Sequence, residues 1–160
     1  HLEIRGERMF ASSGGPFTLH GRADRIDALR AGGAAILDYK TGAPPSDRQV
    51  RELLTPQLPL EAAILESGGF ENVEAMKPAV LIYIRFAGGK KPGDVKRLDV
   101  DAQAITAEAI EKLTQRIAFF DDENTPYRSR VKPFSAEPDG DYDQRARVRE
   151  WALTGWEDGE

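Results

Sequence analysis

Three early segments of the chain have the apolar and polar pattern of β-strands. Residues 17–27 alternate well between apolar and polar positions, which is typical of a strand with one buried face. Residues 2–11 have the composition of a strand with mixed charge, and residues 34–40 are mostly apolar. Turns rich in glycine, serine and proline separate the three segments. The pattern therefore predicts an antiparallel meander of three strands.

Helical signals follow the meander. Residues 41–45 contain two prolines, which break a sheet. Ser46 and Gln49 have the spacing of a capping box, so a helix is expected from about residue 47. A second helix, with prolines near its first turn, is predicted to end at Gly68–Gly69.

The remaining elements are two strands and a long helix. Residues 78–86 form an apolar, β-rich run that predicts an interior strand, and residues 95–100 predict a charged edge strand. Asp101 or Thr106 is expected to cap the long helix, whose apolar stripe we predict at Ile110, Leu113, Ile117 and Phe120. A short helix is expected around Tyr142–Trp151. The order β-β-β-α-β-β-α predicts an α/β sandwich with a mixed sheet.

Composition narrows the class of protein. A chain of 160 residues, 40% apolar and 31% charged, fits a soluble globular protein. It contains no apolar run near the ~20 residues that span a bilayer, so no membrane partner is expected. The absence of cysteine excludes disulfides, thiolate zinc sites and a cysteine-held iron–sulfur cluster in this chain. These features suit a cytoplasmic protein.

The acidic charge is concentrated at one end. Residues 136–160 hold eight acidic residues and three arginines, which accounts for the whole net charge of −5. The remaining residues, 1–135, are electrically balanced. We therefore predict a catalytic core at residues 1–125, followed by an acidic, largely irregular tail at 126–160. A neutral body leaves room for local basic patches but does not by itself argue for strong nucleic-acid binding.

The strand ends carry the candidate chemistry. Because strand side chains repeat with period two, Asp38 and Lys40 point to one face and Tyr39 to the other. If the strand that carries Asp24 pairs with this one, two carboxylates and an ammonium group converge. Two carboxylates suit Mg²⁺ or Mn²⁺, and a nearby lysine can stabilise phosphate charge or position a water.

Three segments together resemble a known nuclease family. They are Gly21–Asp27 (GRADRID), Ile36–Gly42 (ILDYKTG) and Pro56–Ala63 (PQLPLEAA). The combination is similar to the RecB-like branch of the PD-(D/E)XK superfamily, and most similar to the C-terminal nuclease domain of AddB proteins. The resemblance implies a restriction-endonuclease-like fold and Mg²⁺-dependent DNA exonuclease activity in double-strand break repair. It also implies an AddA-like helicase subunit as the partner that feeds single-stranded DNA.

The resemblance assigns roles to individual residues. It implies that Asp24 and Asp38 bind the metal together with the Tyr39 carbonyl oxygen, and that Lys40 is the catalytic lysine. Gln57 matches the glutamine of the family's Q-x-x-x-Y motif. Supporting or DNA-contacting roles are expected for Gln57, Arg22 and Arg25.

The chain departs from the family at two places. Glu61 stands where the motif has tyrosine, and only 20 residues precede Gly21, whereas relatives usually draw a histidine ligand from an upstream helix. This chain is therefore expected to be a fragment without that helix.

Other interpretations stay open at this point. The fold could persist as a scaffold that docks a partner subunit or DNA without chemistry. The Asp-Tyr-Lys motif could also be incidental in a non-nuclease sandwich. Among individual residues, Asp27 is expected to cap a turn or pair with an arginine rather than bind metal, and His20 to be a solvated strand residue.

Overall fold

A five-stranded mixed sheet forms the centre of the protein, which is represented by a computed structural model that describes residues 1–86 and 93–126. The strands follow one another across the sheet in chain order. They are β1 (Leu2–Phe10), β2 (Phe17–Ala28), β3 (Ala34–Lys40), β4 (Pro78–Phe86) and β5 (Gly93–Arg97). The α/β class and the mixed sheet that the sequence predicted are confirmed.

Neighbouring strands of the described sheet run in opposite directions except at one pair. β1, β2 and β3 pair antiparallel, which confirms the predicted meander, and β4 pairs antiparallel with β5. β3 and β4 are parallel. A parallel pair requires a crossover connection, and the helices α1 (Asp47–Arg51) and α2 (Gln57–Glu66) lie within it.

The helix ends follow from local hydrogen bonds. The Ser46 side chain accepts from the Gln49 backbone N–H, and the Gln49 side chain accepts from the Ser46 N–H, so the predicted capping box is confirmed. The third helix, α3 (Ala102–Asp121), begins after Asp101. Asp101 Oδ1 accepts from the N–H groups of Gln103 and Ala104, so Asp101 rather than Thr106 is the cap.

α2 packs closely against one face of the sheet. It contacts β1, β2, β3 and β4, and it also packs against α3. Gly6 and Gly21 are opposite one another on β1 and β2, and a Cβ atom at Gly6 would lie 2.8 Å from Ile64 Cγ2. The absence of side chains at this pair therefore lets α2 approach the sheet.

Two boundaries differ from the predictions. β5 covers Gly93–Arg97 instead of 95–100, because Leu98 turns into the core and bonds through its N–H to the Leu81 carbonyl. On α3 the buried positions begin earlier, at Ala102, Ile105 and Ala109, and Ile110 is only half-buried. The predicted stripe began at Ile110 and counted only large apolar residues, so it missed Ile105, which precedes it, and the two small alanines. The predicted helix around Tyr142–Trp151 lies outside the described residues.

Residues His1–Asp121 form one compact unit and contain every element described above. Residues 122–160 form a second unit. None of the helices in the described ranges has the length and apolar character needed to cross a bilayer.

Candidate active site

Asp24 lies where the regular alternation of β2 breaks. Ala23 and Ile26 are both fully buried in the same hydrophobic cluster, although they are three positions apart rather than two. The registered pairing of β2 with β3 ends at Arg25 and Leu37. Beyond it, Asp24 Oδ2 accepts a hydrogen bond from the Tyr39 backbone N–H at 2.8 Å. The carboxylate therefore takes the place of a ladder partner and lies between the two strands.

Asp38 is the most deeply buried acidic residue of the site. Its side chain retains 3% exposure, and Lys40 Nζ lies 2.8 Å from Asp38 Oδ2. The two groups are close enough to form an ion pair. Their geometry does not meet the angle requirement of a hydrogen bond, so Oδ2 has no hydrogen-bond donor among the described residues. The predicted shared face of Asp38 and Lys40 is confirmed by this contact.

Gln57 connects β3 to α2 at the site. Its Nε2 donates to Asp38 Oδ1 at 2.5 Å and to Glu61 Oε1 at 3.0 Å. Its Oε1 accepts from Lys40 Nζ at 2.9 Å. A single amide thus orients two carboxylates and the ammonium group. The role of Gln57 was implied only by the resemblance and stays a prediction, and these contacts bring its amide to Asp38, Lys40 and Glu61.

Glu61 is a third carboxylate in this cluster. It is 5% exposed, and one turn of α2 separates it from Gln57. Burial raises the pKa of Glu61 to about 8, with further increases from Asp38 and Asp24 and decreases from Gln57 and Lys40. Burial thus favours the protonated form of Glu61 in the protein without metal, and a cation beside it would favour the carboxylate.

Tyr83 lies beneath the same cluster. It is opposite Asp38 on the parallel strand β4, and it is 1% exposed. Lys40 Nζ lies 5.8 Å from the centre of its ring, within the range of a cation–π contact. Burial, followed by the charges of Asp38 and Glu61, raises the pKa of the Tyr83 hydroxyl above its usual range.

The donor set fits a hard divalent cation. An antiparallel residue directs both its N–H and its C=O to the same neighbour, so the Tyr39 carbonyl faces the side of β2 where Asp24 lies. Asp38 Oδ2 is buried and lacks a hydrogen-bond donor. No three acidic or histidine side chains in the described ranges are close enough to enclose an ion by themselves. Mg²⁺ can bind at a site with so few protein ligands, because it commonly keeps several waters and binds through one or two carboxylates.

The other predicted residues lie outside this cluster. Arg22 forms an exposed ion pair with Glu3 at 2.8 Å. Arg25 pairs with Asp27 at 2.8 Å, which is the partner expected for Asp27. His20 lies 3.4 Å from Glu7 and is largely exposed. The roles of Arg22 and Arg25 in supporting the site or contacting DNA stay predictions.

Two residues of the cluster were missed by the sequence analysis. Glu61 was noted on the same helix face as Gln57 and as a departure from a motif, but it was given no role in the site, and Tyr83 was considered only as part of an apolar strand. The signal for Glu61 was its i,i+4 spacing from Gln57 on a helix whose other positions are almost all apolar. No local signal identifies Tyr83, since its position follows from the register of β3 and β4.

Comparison with known proteins decides the family. A model of the PD-(D/E)XK nuclease superfamily matches residues 1–134. The chain belongs to the PD-(D/E)XK nuclease superfamily. Membership indicates a nuclease, and nucleases of this superfamily generally use divalent metals. It also sets aside the interpretation of an incidental motif in a non-nuclease sandwich.

The similar proteins found are much longer than this chain. An uncharacterized protein of Rickettsia typhi is 37% identical over 70 residues, which are 44% of this chain and 8% of that protein. An uncharacterized protein of Rickettsia bellii is 33% identical over 78 residues, or 49% of this chain and 9% of that protein. This PD-(D/E)XK chain thus spans less than a tenth of these curated relatives.

One solved structure is similar at a low level. The crystal structure of SSO0001 matches with a TM-score of 0.40 and 16% identity, covering 72% of this chain and 50% of that one. A similarity of this size carries no argument about function.

Proposed function

We propose that this PD-(D/E)XK chain is the nuclease domain of an AddB-like subunit of a helicase–nuclease, and that it hydrolyses DNA phosphodiester bonds with Mg²⁺. Mn²⁺ is expected to substitute. The membership of the superfamily supports hydrolysis of nucleic acid. The paired GRADRID and ILDYKTG segments support the AddB-like assignment.

One observation carries the proposal of catalysis. Lys40 Nζ lies 2.8 Å from the buried carboxylate of Asp38, and the residue between them donates its backbone N–H to Asp24. Three consecutive residues of β3 thus fix the site: two of them provide Asp38 and Lys40, and the one between them holds Asp24. Such fixed groups stabilise charge in a reaction without having to reorganise.

The proposed mechanism assigns one task to each side chain. Asp24, Asp38 and the Tyr39 carbonyl would hold the divalent ion. The chemistry that the ion supplies when bound is a lowered pKa of the attacking water and neutralisation of the scissile phosphate. Lys40 orients that water or stabilises the charge that develops on the phosphate oxygens. Gln57 holds Asp38 and Lys40 in position through its amide.

The substrate and setting follow from the AddB-like assignment. Single-stranded DNA would be fed to the domain by an AddA-like helicase subunit as a duplex is unwound during double-strand break repair in the cytoplasm. Little sequence preference is expected, and the products would carry 5′-phosphate and 3′-hydroxyl ends.

The test compares two aspartates that both contact a basic residue. Asp38→Asn should abolish Mg²⁺-dependent cleavage of end-labelled single-stranded DNA by the 160-residue chain, because it removes a buried metal-ligating charge. Asp27→Asn, in an exposed pair, should leave cleavage within about twofold, since exposed pairs contribute little. Circular dichroism checks that both variants are folded. Full activity of Asp38→Asn would refute the mechanism.

The scaffold remains a second candidate, favoured by one observation. Within the described ranges, no group of three potential ligands is close enough to enclose a metal. Mn²⁺ binding measured with wild-type and Asp24→Asn chains separates the two candidates. Binding that depends on Asp24 supports the nuclease, and no binding by the wild-type chain supports the scaffold.

A further inference from the structure

Glu61 is a buried acid without a basic partner. It is 5% exposed, and it forms no ion pair among the residues that the structure describes. Its Oε1 accepts from Gln57, whereas Oε2 is buried and has no hydrogen-bond donor. Acidic residues are rarely buried in this way unless something compensates the charge or satisfies the oxygen.

The unsatisfied oxygen of Glu61 has a counterpart on Asp38. Gln57 Nε2 donates to one oxygen of each carboxylate, at 2.5 Å for Asp38 and 3.0 Å for Glu61. The second oxygen of each, Asp38 Oδ2 and Glu61 Oε2, is buried and without a donor. Two acidic side chains that share one amide are therefore held next to each other. Asp38 Oδ2 has the Lys40 ammonium 2.8 Å away, whereas Glu61 Oε2 has no partner among the described residues.

We propose that Glu61 is a positioning residue for the divalent cation, and that it accepts hydrogen bonds from water molecules bound to that ion. This inference rests on the proposed function of the same site. It adds to the ligands Asp24 and Asp38 a third acid on α2, and it assigns a use to an oxygen that is otherwise unsatisfied.

Water-mediated contact fits the geometry better than direct ligation. No three acidic side chains within the described ranges are close enough to share an ion directly. Mg²⁺ keeps several of its waters in protein sites, and those waters need acceptors. Acceptors that surround a metal in this indirect way commonly change its affinity by about 10- to 100-fold.

The charges of the site agree with this assignment. The site holds three carboxyl groups, those of Asp24, Asp38 and Glu61. Among the described residues, Lys40 is the one basic side chain that forms an ion pair with any of them, and it does so with Asp38. A divalent cation would compensate this excess of acidic groups. In a cluster with a purely structural role, a second lysine could provide the same compensation. A purely structural Glu61 would only hold Gln57, and a neutral amide could do the same.

The experiment measures Mn²⁺ binding by calorimetry with the complete 160-residue chain. Glu61→Gln keeps the shape and the acceptor for Gln57 but removes the charge. We expect its Mn²⁺ dissociation constant to rise about tenfold or more. Glu66→Gln is the matched control, because it removes one charge from the exposed end of the same helix, and it should stay within twofold of wild type.

A second variant covers a failure of the first to fold. Glu61→Asp keeps the charge on a shorter side chain, and its Mn²⁺ affinity should lie between those of wild type and Glu61→Gln. If Glu61→Gln is unfolded by circular dichroism, wild-type affinity in Glu61→Asp together with Glu61→Ala would overturn the inference, and graded weakening across these two would support it.

The outcomes separate this inference from the proposed function. Wild-type affinity in Glu61→Gln, with binding lost in Asp38→Asn, overturns the role of Glu61 and leaves the metal site standing. Absence of Mn²⁺ binding in the wild-type chain overturns the metal site and the role of Glu61 together.

Discussion

The protein contains two regions in which acids and bases meet at the same distance. In the site, Lys40 lies 2.8 Å from Asp38, and between β1 and β2 Arg22 lies 2.8 Å from Glu3. The acidic side chains differ in exposure, with 3% for Asp38 and 71% for Glu3. Distance alone therefore does not distinguish a functional pair from an ordinary surface pair.

Burial changes what such a pair can do. Water screens the exposed pair, so its contribution is at most about 1 kcal/mol. In the buried region the same interactions are stronger, and two buried carboxyl groups share one glutamine amide, with Asp24 on the neighbouring strand and Lys40 as the basic partner of Asp38. The excess of acid in the buried region is what makes it suitable for a cation.

The largest effect is expected from Lys40. Lys40→Met should lower the rate of DNA cleavage by about 10²- to 10³-fold, because a fixed group that stabilises developing charge is removed. Mn²⁺ binding should persist or tighten, since a competing positive charge is removed next to Asp38. Cleavage rates at saturating Mn²⁺, together with calorimetry, check both statements.

The control for Lys40 is a lysine of the exposed kind. Lys112 pairs with Glu108 on α3 at 2.7 Å and is half exposed. Lys112→Met should cleave DNA as wild type does. An equal loss in both variants would show that general electrostatic attraction of DNA, and not the buried pair, explains the effect.

The second prediction concerns the pH dependence of stability. Glu61 has a pKa of about 8 in the folded chain, against 4.5 for an ordinary glutamate. The folded state therefore binds the Glu61 proton more tightly than the unfolded state does, and this difference stabilises the fold. The stabilisation is complete below pH 4.5 and is lost as the pH rises to about 8. Without metal, the free energy of unfolding should fall by up to about 1.4 kcal/mol per pH unit in that window.

Urea denaturation of wild type and Glu61→Gln in EDTA checks this prediction. Glu61→Gln should lose less stability between pH 5 and pH 8, and the difference between the two proteins isolates the one proton. Parallel curves would mean that Glu61 is solvated, and the contrast between buried and exposed regions would then fail at this residue.

Most of the fold could be predicted because its signals are local. Alternation of apolar and polar residues predicted β2, and the spacing of Ser46 and Gln49 predicted the start of α1. The apolar run at residues 78–86 predicted β4 with its observed bounds. Each of these features depends on a few neighbouring residues. The motifs that resemble a nuclease family placed Asp38 and Lys40 correctly on one face.

The missing parts of the prediction depend on contacts between distant segments. Period two placed Asp24 on the face of His20, but the step in burial between Ala23 and Ile26 turns Asp24 toward the Tyr39 N–H. Glu61 lies in the site because α2 packs over β3, which no local pattern reveals. Long-range packing thus decides the details of the site after local pattern has decided its elements.

The third prediction tests the packing of α2 against the sheet, which supports the site. Gly6→Ala places a Cβ atom against the Phe70 ring and 2.8 Å from Ile64 Cγ2, so α2 must shift or repack. The expected loss is about 1–3 kcal/mol of unfolding free energy. Gly42→Ala is the control, because nothing lies within 4 Å of its Cβ position. Equal stability of the two variants in urea would show that α2 does not press on the sheet at this point.

The smallest effect on stability is expected for the exposed pair of Arg22 and Glu3. A double-mutant cycle with Arg22→Ala and Glu3→Ala should give a coupling free energy of at most about 1 kcal/mol, because both side chains are more than half exposed. A coupling above that would show that burial is not what separates the two regions.

Arg22→Ala also tests the predicted contact with DNA. If Arg22 binds one phosphate, the slope of log affinity for single-stranded DNA against log salt should decrease by about 0.7, and an unchanged slope would confine Arg22 to its weak surface pair.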